Sequence, residues 1–261
     1  MTTISYVGHG TVHLDMDGVR LLTDPVLLMR IGWLQRHGVS PEPSIAQDLD
    51  AVLVSHLHMD HVNPATLRLV PRETPIVVPS GAGRLLRKYR FSNLHELAPG
   101  QTVRIGAVNV TATPAYHTGR RYPWGRFADA VGYTIHGSST IYFAGDTGFF
   151  TGLDELADRI DVALLPIWGW GARLPDDHLS PETAARVLQL LRPRLAIPIH
   201  WGTFLPVGMR RLLASALVHP PQNFVRFARE YAPGVPVAVL QPGESSNLFE
   251  AIASSCLDVC R

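Results

Sequence analysis

Three histidines and one aspartate stand within six residues in the stretch His56-x-His58-x-Asp60-His61. A metal ion needs several donor atoms that converge at about 2.0–2.2 Å, and imidazole and carboxylate groups supply such donors. His56 and His58 are two residues apart, so in an extended backbone their side chains lie on the same side and could serve one ion. Asp60 and His61 lie further round the loop and could reach a second ion. A polar surface turn would seldom hold this set of residues by chance. The spacing therefore predicts a metal site.

A buried strand must bring this loop into place. Asp50–Ser55, which reads DAVLVS, is a short apolar run bounded by polar residues, as is typical of a buried strand. A tight loop at the end of a strand can aim neighbouring side chains at one point. Asn63 and Pro64 then offer an N-cap and a proline in the first turn, which predicts a short helix after the loop.

One loop cannot close a metal site, so further donors must come from elsewhere. Three candidates each follow a strand-like run: His117 after Val108–Thr113, Asp146 after Thr140–Phe143, and His200 after Leu195–Ile199. The repeated arrangement predicts that several strands deliver donors to one common edge. Together with the first loop, the set indicates a two-metal site of histidine and carboxylate ligands.

The rest of the chain alternates strands, turns and helices. The first third reads as short strands, with a hairpin turn at Asp17-Gly18, and residues 25–49 read as an irregular loop. Ser180 and Pro181 predict the start of a helix, and Val235–Leu240 reads as a final strand. We expect two sheets with helices outside them in a single domain over residues 1–250, followed by a flexible tail over residues 251–261 that carries Cys256 and Cys260 as free thiols.

Composition narrows the functional classes. There are 23 Lys and Arg against 22 Asp and Glu, which gives a net charge of +1 and argues against a protein that mainly binds nucleic acid. Two cysteines exclude a disulfide framework and a zinc site of four thiolates. Neither an export signal nor a transmembrane segment is recognisable in the sequence, so we expect a cytoplasmic protein.

The His-x-His-x-Asp-His motif resembles the signature of the metallo-β-lactamase superfamily, and the resemblance extends over nearly the whole chain. It implies an α/β fold, a four-layer αββα sandwich with a metal site at one edge. It also implies a set of ligands: His56, His58 and His117 for the first ion, Asp60, His61 and His200 for the second, and Asp146 as the bridge between them.

A narrower resemblance concerns the segments around this motif. Leu22-Thr23-Asp24-Pro25, Asp177-His178-Leu179-Ser180 and His200-Trp201-Gly202-Thr203 resemble the branch that contains N-acylphosphatidylethanolamine-hydrolysing phospholipase D. The ascorbate-6-phosphate lactonase branch shares the Gly8-His9-Gly10 type of start. These segments indicate the branch and leave the substrate open.

The resemblance implies a metal-dependent hydrolase in which a hydroxide bridges two divalent ions. Zn²⁺ is the default for these ligands, and Fe or Mn fit nearly as well. A phosphodiesterase ranks first and a lactonase second, with a non-catalytic metal-binding scaffold as the alternative from another class. We expect a small-molecule or lipid-like substrate and no nucleic-acid partner. The oligomeric state stays open, and a homodimer is among the options.

Several residues have expected supporting roles. Asp60 and Asp146 are expected to be catalytic as well as ligating, and His178 either contacts the substrate, donates a proton or is an exposed loop histidine. Asp24 is expected to support the metal loop. His9 and His13 are expected to be structural, with a place in the pocket wall as the less favoured alternative for His9.

Two further groups of side chains leave two interpretations open. The aromatic residues near the donors either line an apolar pocket or pack in the core: Trp124, Phe149, Phe150, Trp168 and Trp170. The arginines after His117 either meet a phosphate or are solvated surface charges: Arg120, Arg121 and Arg126.

Overall fold

The computed structural model describes residues 2–121, 128–156, 160–169 and 174–248 of the chain. In chain order its strands and α-helices are β1 (Thr2–Gly8), β2 (Thr11–Met16), β3 (Val19–Thr23), β4 (Arg30–Ile31), β5 (Leu34–Arg36), β6 (Ala51–Leu53), α1 (Pro64–Leu67), β7 (Ile76–Pro79), α2 (Gly83–Lys88), β8 (Leu94–Leu97), β9 (Thr102–Ile105), β10 (Val108–Pro114), β11 (Val131–His136), β12 (Thr140–Phe143), β13 (Val162–Pro166), α3 (Pro181–Leu191), β14 (Leu195–Ile199), β15 (Phe204–Pro206), α4 (Arg210–Leu213), α5 (His219–Tyr231) and β16 (Glu244–Asn247).

Two mixed sheets carry most of these strands. The first has the order β16-β1-β2-β3-β6-β7-β8, and the second has the order β14-β13-β12-β11-β10-β9. In each sheet, antiparallel strands joined by short turns lead into parallel strands, which run from β3 to β8 and from β12 to β14. The turn between β2 and β3 holds Asp17 and Gly18 at φ 57° and 77°, which fits the predicted hairpin turn.

The alternation of side chains along the strands buries both faces of the first sheet. In β6, Ala51 and Leu53 join the cluster shared with the second sheet, whereas Val52 belongs to a separate cluster with Leu67 and Leu86 of α1 and α2. Beside the second sheet, α3 and α5 contact each other and bury residues such as Leu188 and Phe224. The order is therefore helices, sheet, sheet, helices, and the predicted four-layer sandwich is confirmed.

Helix starts follow the capping signals in the sequence. The Asn63 side chain accepts hydrogen bonds from the backbone N–H groups of Ala65 and Thr66, which places α1 directly after the histidine-rich loop. Ser180 caps α3 in a reciprocal arrangement with Thr183, three residues later.

Residues 25–49 are more ordered than expected. They contain β4 and β5, which form a third, three-stranded sheet with β15. Arg36 anchors this small sheet: its buried guanidinium donates to the backbone carbonyls of Val7, Val26 and Leu28 and packs over the ring of Phe204. The sequence did not reveal the small sheet because its strands are two and three residues long and pair with a distant segment.

The prediction of a strand at Val235–Leu240 is wrong. Pro236 has no backbone N–H to donate, and the segment forms only an isolated bridge between Val237 and Ala196 of β14. The first sheet instead gains β16 as an edge strand beside β1. The division at residue 250 and the tail with Cys256 and Cys260 concern residues outside the described ranges, so both stay predictions.

Candidate metal centre

The predicted donors meet at one edge of the sandwich, where several strands of both sheets end. Each donor follows the carboxyl end of a strand. The strand β6 leads into His56, His58, Asp60 and His61, β10 into His117, β12 into Asp146 and β14 into His200. Parallel strands place their carboxyl ends at the same edge of a sheet, which explains why donors so distant in sequence lie together.

His56, His58 and His117 form one group. His58 Nδ1 lies 2.9 Å from His56 Nε2 and 3.2 Å from His117 Nε2. The His56 ring stands nearly edge-on to the other two. Three imidazole nitrogens therefore face a common point, as the prediction for the first ion requires.

A second group lies beside the first. His61 Nε2 lies 3.3 Å from His200 Nε2 and 3.3 Å from Asp146 Oδ2, and His200 Nε2 lies 3.2 Å from Asp146 Oδ1. Asp60 Oδ2 is 4.0 Å from His61 Nε2. All seven side chains that the sequence predicts as ligands thus belong to two adjacent groups at one edge.

The outer ring nitrogens of His56 and His61 are held by the strand ends beneath them. His56 Nδ1 lies 2.9 Å from Ser55 Oγ, and His61 Nδ1 lies 2.7 Å from Asp24 Oδ2. Ser55 donates its own hydroxyl and backbone N–H to the Asp24 carboxylate, which is fully buried at the end of β3. This network favours protons on the outer nitrogens and leaves the inner lone pairs for an ion. The structure therefore places Asp24 where the sequence predicted a supporting residue.

Backbone carbonyls hold the other two rings. His117 Nδ1 donates to the carbonyl of Asp177 at 3.0 Å, and His200 Nδ1 donates to the carbonyl of Trp168. A carbonyl oxygen accepts only, so both outer nitrogens must carry the proton and both Nε2 atoms must be bare. The tautomers that a metal centre needs are thus set by groups outside it.

The inner atoms fit a cation. With its proton on Nδ1, His200 Nε2 is an acceptor that faces Asp146 Oδ1, and this oxygen is buried without a hydrogen-bond partner among the described residues. Two acceptors that face each other repel unless a positive charge lies between them. The ion-pair partners of Asp146 in the described part of the chain are all histidines: His61, His178 and His200.

Burial and neighbouring imidazoles keep most of the cluster neutral. Burial lowers the pKa of His58 to about 4 and that of His200 to about 3, and it also lowers the pKa values of His56 and His117. Neutral imidazole is the form that binds metals.

The pKa values of His61 and Asp146 shift in the direction that favours their charged forms. Burial alone would lower the pKa of His61, but the carboxylates of Asp146 and Asp24 outweigh it and hold this pKa well above its ordinary value. Burial would likewise raise the pKa of Asp146, yet His200 and His61 hold it well below its usual range. His61 therefore carries the positive charge that a bound cation would replace.

His178 lies at the open side of the cluster. Its Nδ1 is 3.0 Å from Asp177 Oδ1, and its Nε2 is 3.7 Å from Asp146 Oδ2. The His178 ring also stands edge-on to that of His117. The structure thus places His178 against the predicted ligands and not on a distant loop.

A cavity of about 440 Å³ opens onto the donors. Its apolar lining comes from the β4–β5 hairpin, with Ile31 and Trp33, and from Met59 of the histidine-rich loop; Trp33 and Met59 are each about half exposed. Of the two interpretations left open for the other aromatic residues, core packing applies to Phe150 and Trp168, and Phe149 is exposed. Trp124 and Trp170 lie outside the described residues. Trp33 could not be found from the sequence, because the strands on either side of it are only two and three residues long and show no periodic pattern.

Among the arginines after His117, Arg121 fits neither of the two interpretations that the sequence left open. Arg121 donates to the carbonyls of Leu57 and Val62 at 2.9 and 3.0 Å. These hydrogen bonds hold the backbone of the histidine-rich loop in place. Arg120 is exposed, and Arg126 lies outside the described residues.

His9 is the residue that sequence reasoning underestimated. Its side chain is buried, its Nε2 lies 2.9 Å from Asp60 Oδ2, and its ring centroid is 3.7 Å from that of His200. It belongs with Asp60, His61 and His200 to one group of potential metal ligands. The interpretation that His9 is merely structural is therefore replaced by a place inside the centre. His13 lies on β2 and is absent from the groups found among the described residues.

Within the described residues, the helices are all too short or too polar to cross a membrane.

Comparison with known proteins gives consistent results. The model of the beta-lactamase superfamily domain matches residues 19–201, a range that includes all seven predicted ligands. A UPF0173 metal-dependent hydrolase of Methanopyrus kandleri is 30% identical over 260 residues, which covers 93% of this chain and 98% of that protein. An N-acyl-phosphatidylethanolamine-hydrolyzing phospholipase D of Caenorhabditis elegans is 30% identical over 235 residues, which covers 78% of this chain and 64% of that protein.

A solved structure supports the same fold. The metallo hydrolase Igni18 from Ignicoccus hospitalis superimposes with a TM-score of 0.68 at 23% identity, and the match covers 94% of this chain and 97% of that one. At this level of identity the likeness concerns the fold alone.

Replacing Asp24 with asparagine should weaken metal binding. The Asp24→Asn side chain keeps the shape of the carboxylate but turns an acceptor into a group that can donate toward His61 Nδ1, which disfavours the tautomer with a bare Nε2. We expect affinity for divalent metal to fall about 10- to 100-fold in a chelator competition titration. Asp48→Asn is the matched control, since Asp48 is exposed and has a positive φ like Asp24. Equal affinities in the two variants would contradict the supporting role.

The chain in EDTA should lose stability between pH 6.5 and pH 4. Four histidines have folded-state pKa values below the unfolded value of about 6.5: His56, His58, His117 and His200. Below that pH the unfolded chain therefore binds more protons than the folded chain, which favours unfolding. His61 acts in the opposite direction because its raised pKa stabilises the fold below pH 6.5, but it is one group against four.

Urea unfolding measures this effect. From pH 7 to pH 5 we expect the free energy of unfolding to fall by at least about 2 kcal/mol. This is the effect of one histidine that takes up a proton only in the unfolded chain, over the roughly 1.5 pH units between 6.5 and 5. A free energy of unfolding that stays constant down to pH 5 would show that the histidines are not held neutral.

Proposed function

The chain belongs to the metallo-β-lactamase superfamily and is a metal-dependent hydrolase, and from that premise we propose that it cleaves a phosphodiester with the help of two divalent metal ions, Zn²⁺ in the first place. The proposed ligands are those of the two donor groups: His56, His58 and His117 for one ion, Asp60, His61 and His200 for the other, and Asp146 for both.

The observation that carries this proposal is the direction of the imidazole nitrogens. Four rings have their outer nitrogens in contact with groups that accept a proton from them, while their inner nitrogens face His58, one another or Asp146 at 2.9–3.3 Å. A fold with no metal to bind gains nothing from the buried acceptors His200 Nε2 and Asp146 Oδ1 that face each other. The arrangement therefore supports a metal centre, and the two adjacent donor groups support two ions in it.

The bound ions would lower the pKa of a water molecule to near neutral and offset the negative charge that develops on the attacked group. The protein residues have separate tasks around them. Asp146 would be the ligand shared by both ions, because its charge acts on histidines of both groups. Asp60, which lines the cavity, accepts a hydrogen bond from His9 and would orient the nucleophile.

His178 would serve the leaving group. Its Nδ1 lies 3.0 Å from Asp177 Oδ1, which orients the ring so that a proton on Nε2 faces the site, 3.7 Å from Asp146 Oδ2. Because His178 also lines the cavity, this proton would be available to a departing oxygen.

The cavity indicates the class of substrate. Its volume suits a group of small-molecule size, and the apolar side chains of Ile31, Trp33 and Met59 would accept an acyl or alkyl part. Among the described residues, its lining contains neither lysine nor arginine. The phosphate of a phosphodiester is itself the attacked group and could rely on the metal ions. A sugar-phosphate lactone would present its carbonyl to the ions and place its dianionic phosphate elsewhere, with neither lysine nor arginine in the described lining to meet it. This difference ranks the phosphodiester above the lactone.

The similarity to a phospholipase D that hydrolyses N-acyl-phosphatidylethanolamine supports the same ranking. The cleaved bond in such a lipid is a phosphodiester next to apolar chains, and the cavity wall offers apolar surface beside the donors. We therefore propose a lipid-like phosphodiester as the preferred substrate type.

Metal analysis together with a model phosphodiester tests the proposal. We expect about two divalent ions per chain and hydrolysis of bis(p-nitrophenyl) phosphate that EDTA abolishes and Zn²⁺ restores. Asp146→Ala should reduce turnover to background because the bridge between the two donor groups is removed, while Asp154→Ala, at an exposed aspartate, should leave it unchanged.

The alternative classes give different results in this assay. A chain that binds metal but hydrolyses none of the substrates would be a non-catalytic metal-binding scaffold, and a chain that opens lactones faster than phosphodiesters in a substrate panel would be a lactonase.

The role of His178 can be tested through the leaving group. His178→Gln should lower kcat about 10²- to 10⁴-fold for a phosphodiester with an alkyl alcohol leaving group, which needs a proton on departure. The same variant should lose much less with p-nitrophenolate, which departs without protonation. An equal rise in KM for both substrates, with kcat unchanged, would instead assign His178 to substrate contact.

A further inference from the structure

His9 occupies a backbone conformation that a histidine rarely adopts. Its φ is 58°, between Gly8 and Gly10 in the connection from β1 to β2. A non-glycine residue in this left-handed region costs conformational energy, and glycine would adopt it without that cost. Strain of this kind persists where the surrounding structure holds it, and it directs attention to what the side chain does.

The backbone of this connection is held from the other sheet. The His9 N–H donates to Thr203 Oγ1 at 2.8 Å, and the His9 carbonyl accepts from the His200 N–H at 2.9 Å. His200 itself has φ 63°. Two strained loops, one from each sheet, therefore hold each other and place their imidazole rings together.

The ring of His9 is fixed on its faces and edges. It lies against the His200 ring at a centroid distance of 3.7 Å, with the two planes tilted by 34°, and meets Phe204 edge-on at 5.2 Å, and the residue is only 3% exposed. Rotation of the ring is therefore blocked, and the direction of its Nε2 is determined by packing.

The hydrogen bond at Nε2 decides between two roles. A carboxylate that binds a metal ion is ionised, so Asp60 as a ligand can only accept a hydrogen bond. The His9 Nε2 atom, 2.9 Å from Asp60 Oδ2, must therefore carry the proton of this bond. A protonated nitrogen has no lone pair for a metal ion, so the geometry favours orientation of Asp60 over direct ligation.

Asp60 lies in the turn between β6 and α1, outside the described strands and helices, and the contact from His9 reaches it from the connection between β1 and β2. We propose that His9 is a positioning residue that holds the Asp60 carboxylate toward the second metal ion, an inference that rests on the metal centre proposed above.

Two amide substitutions at His9 both supply a hydrogen-bond donor but differ in whether the side chain is long enough to reach Asp60. Glutamine places its amide nitrogen at the position of histidine Nε2, whereas asparagine places the same group at the position of Nδ1, one bond too short to reach Asp60. Asparagine also tolerates the left-handed backbone better than glutamine. If backbone strain alone mattered, His9→Asn would be the milder variant.

The measurement is the affinity of purified holoprotein variants for the first and second equivalent of Zn²⁺, by competition with a chromophoric chelator. We expect His9→Asn to weaken the second equivalent about 10- to 100-fold with the first unchanged. His9→Gln should recover most of the loss. The same change at the exposed His136, His136→Gln, is the control and should match the wild type.

Cobalt substitution provides a readout that stability would not affect. With saturating Co²⁺, His9→Asn should keep the d–d absorption bands of the wild type, because the donor atoms are the same. Shifted bands in both His9 variants would show that His9 is itself a ligand and would overturn the positioning role.

Failure of this inference can be distinguished from failure of the metal centre. A wild-type chain that binds two ions, together with an unaffected His9→Asn variant, would overturn only the role of His9. A variant series in which glutamine binds the second ion no better than asparagine would also overturn it. A wild-type chain that binds no divalent ion would overturn both proposals.

Discussion

Hydrogen bonds on the outer nitrogens of four histidines determine where the inner nitrogens point. Their partners come from different elements: Ser55 and Asp24 from the ends of β6 and β3, and the carbonyls of Asp177 and Trp168 from loops beside the second sheet. Since neither sheet supplies all of these groups, the centre exists only when the two sheets pack against each other. The large shared core is therefore a requirement of the site as well as of the fold.

The way in which the strands deliver these side chains explains how much of the centre could be predicted from the sequence. The ligands of the first loop are visible because their spacing is local, and His117, Asp146 and His200 are visible because each ends a strand-like run. Strand ends meet at one edge in any sheet of this kind, so position in the chain is enough to place them.

The parts that escaped prediction depend on contacts between distant segments. The contact of His9 with Asp60 spans 51 residues and joins two loops whose relative position follows from sheet order, which no local pattern encodes. The small sheet has strands of two or three residues, too short to show an alternating pattern. Val235–Leu240 shows the opposite error, because an apolar run looked like a strand although Pro236 interrupts its pairing.

The small sheet of β4, β5 and β15 has a consequence for how this protein could diversify. It forms the cavity wall through Ile31 and Trp33, yet it contributes no ligand, and the buried Arg36 fastens it to the sandwich through backbone carbonyls that any sequence would supply. Under the proposed function, selection of the substrate and cleavage of the bond would thus depend on separate structural units. Mutations at the hairpin tip would then exchange one substrate for another while the donor groups stay intact, so related chains could share every donor and still act on different molecules.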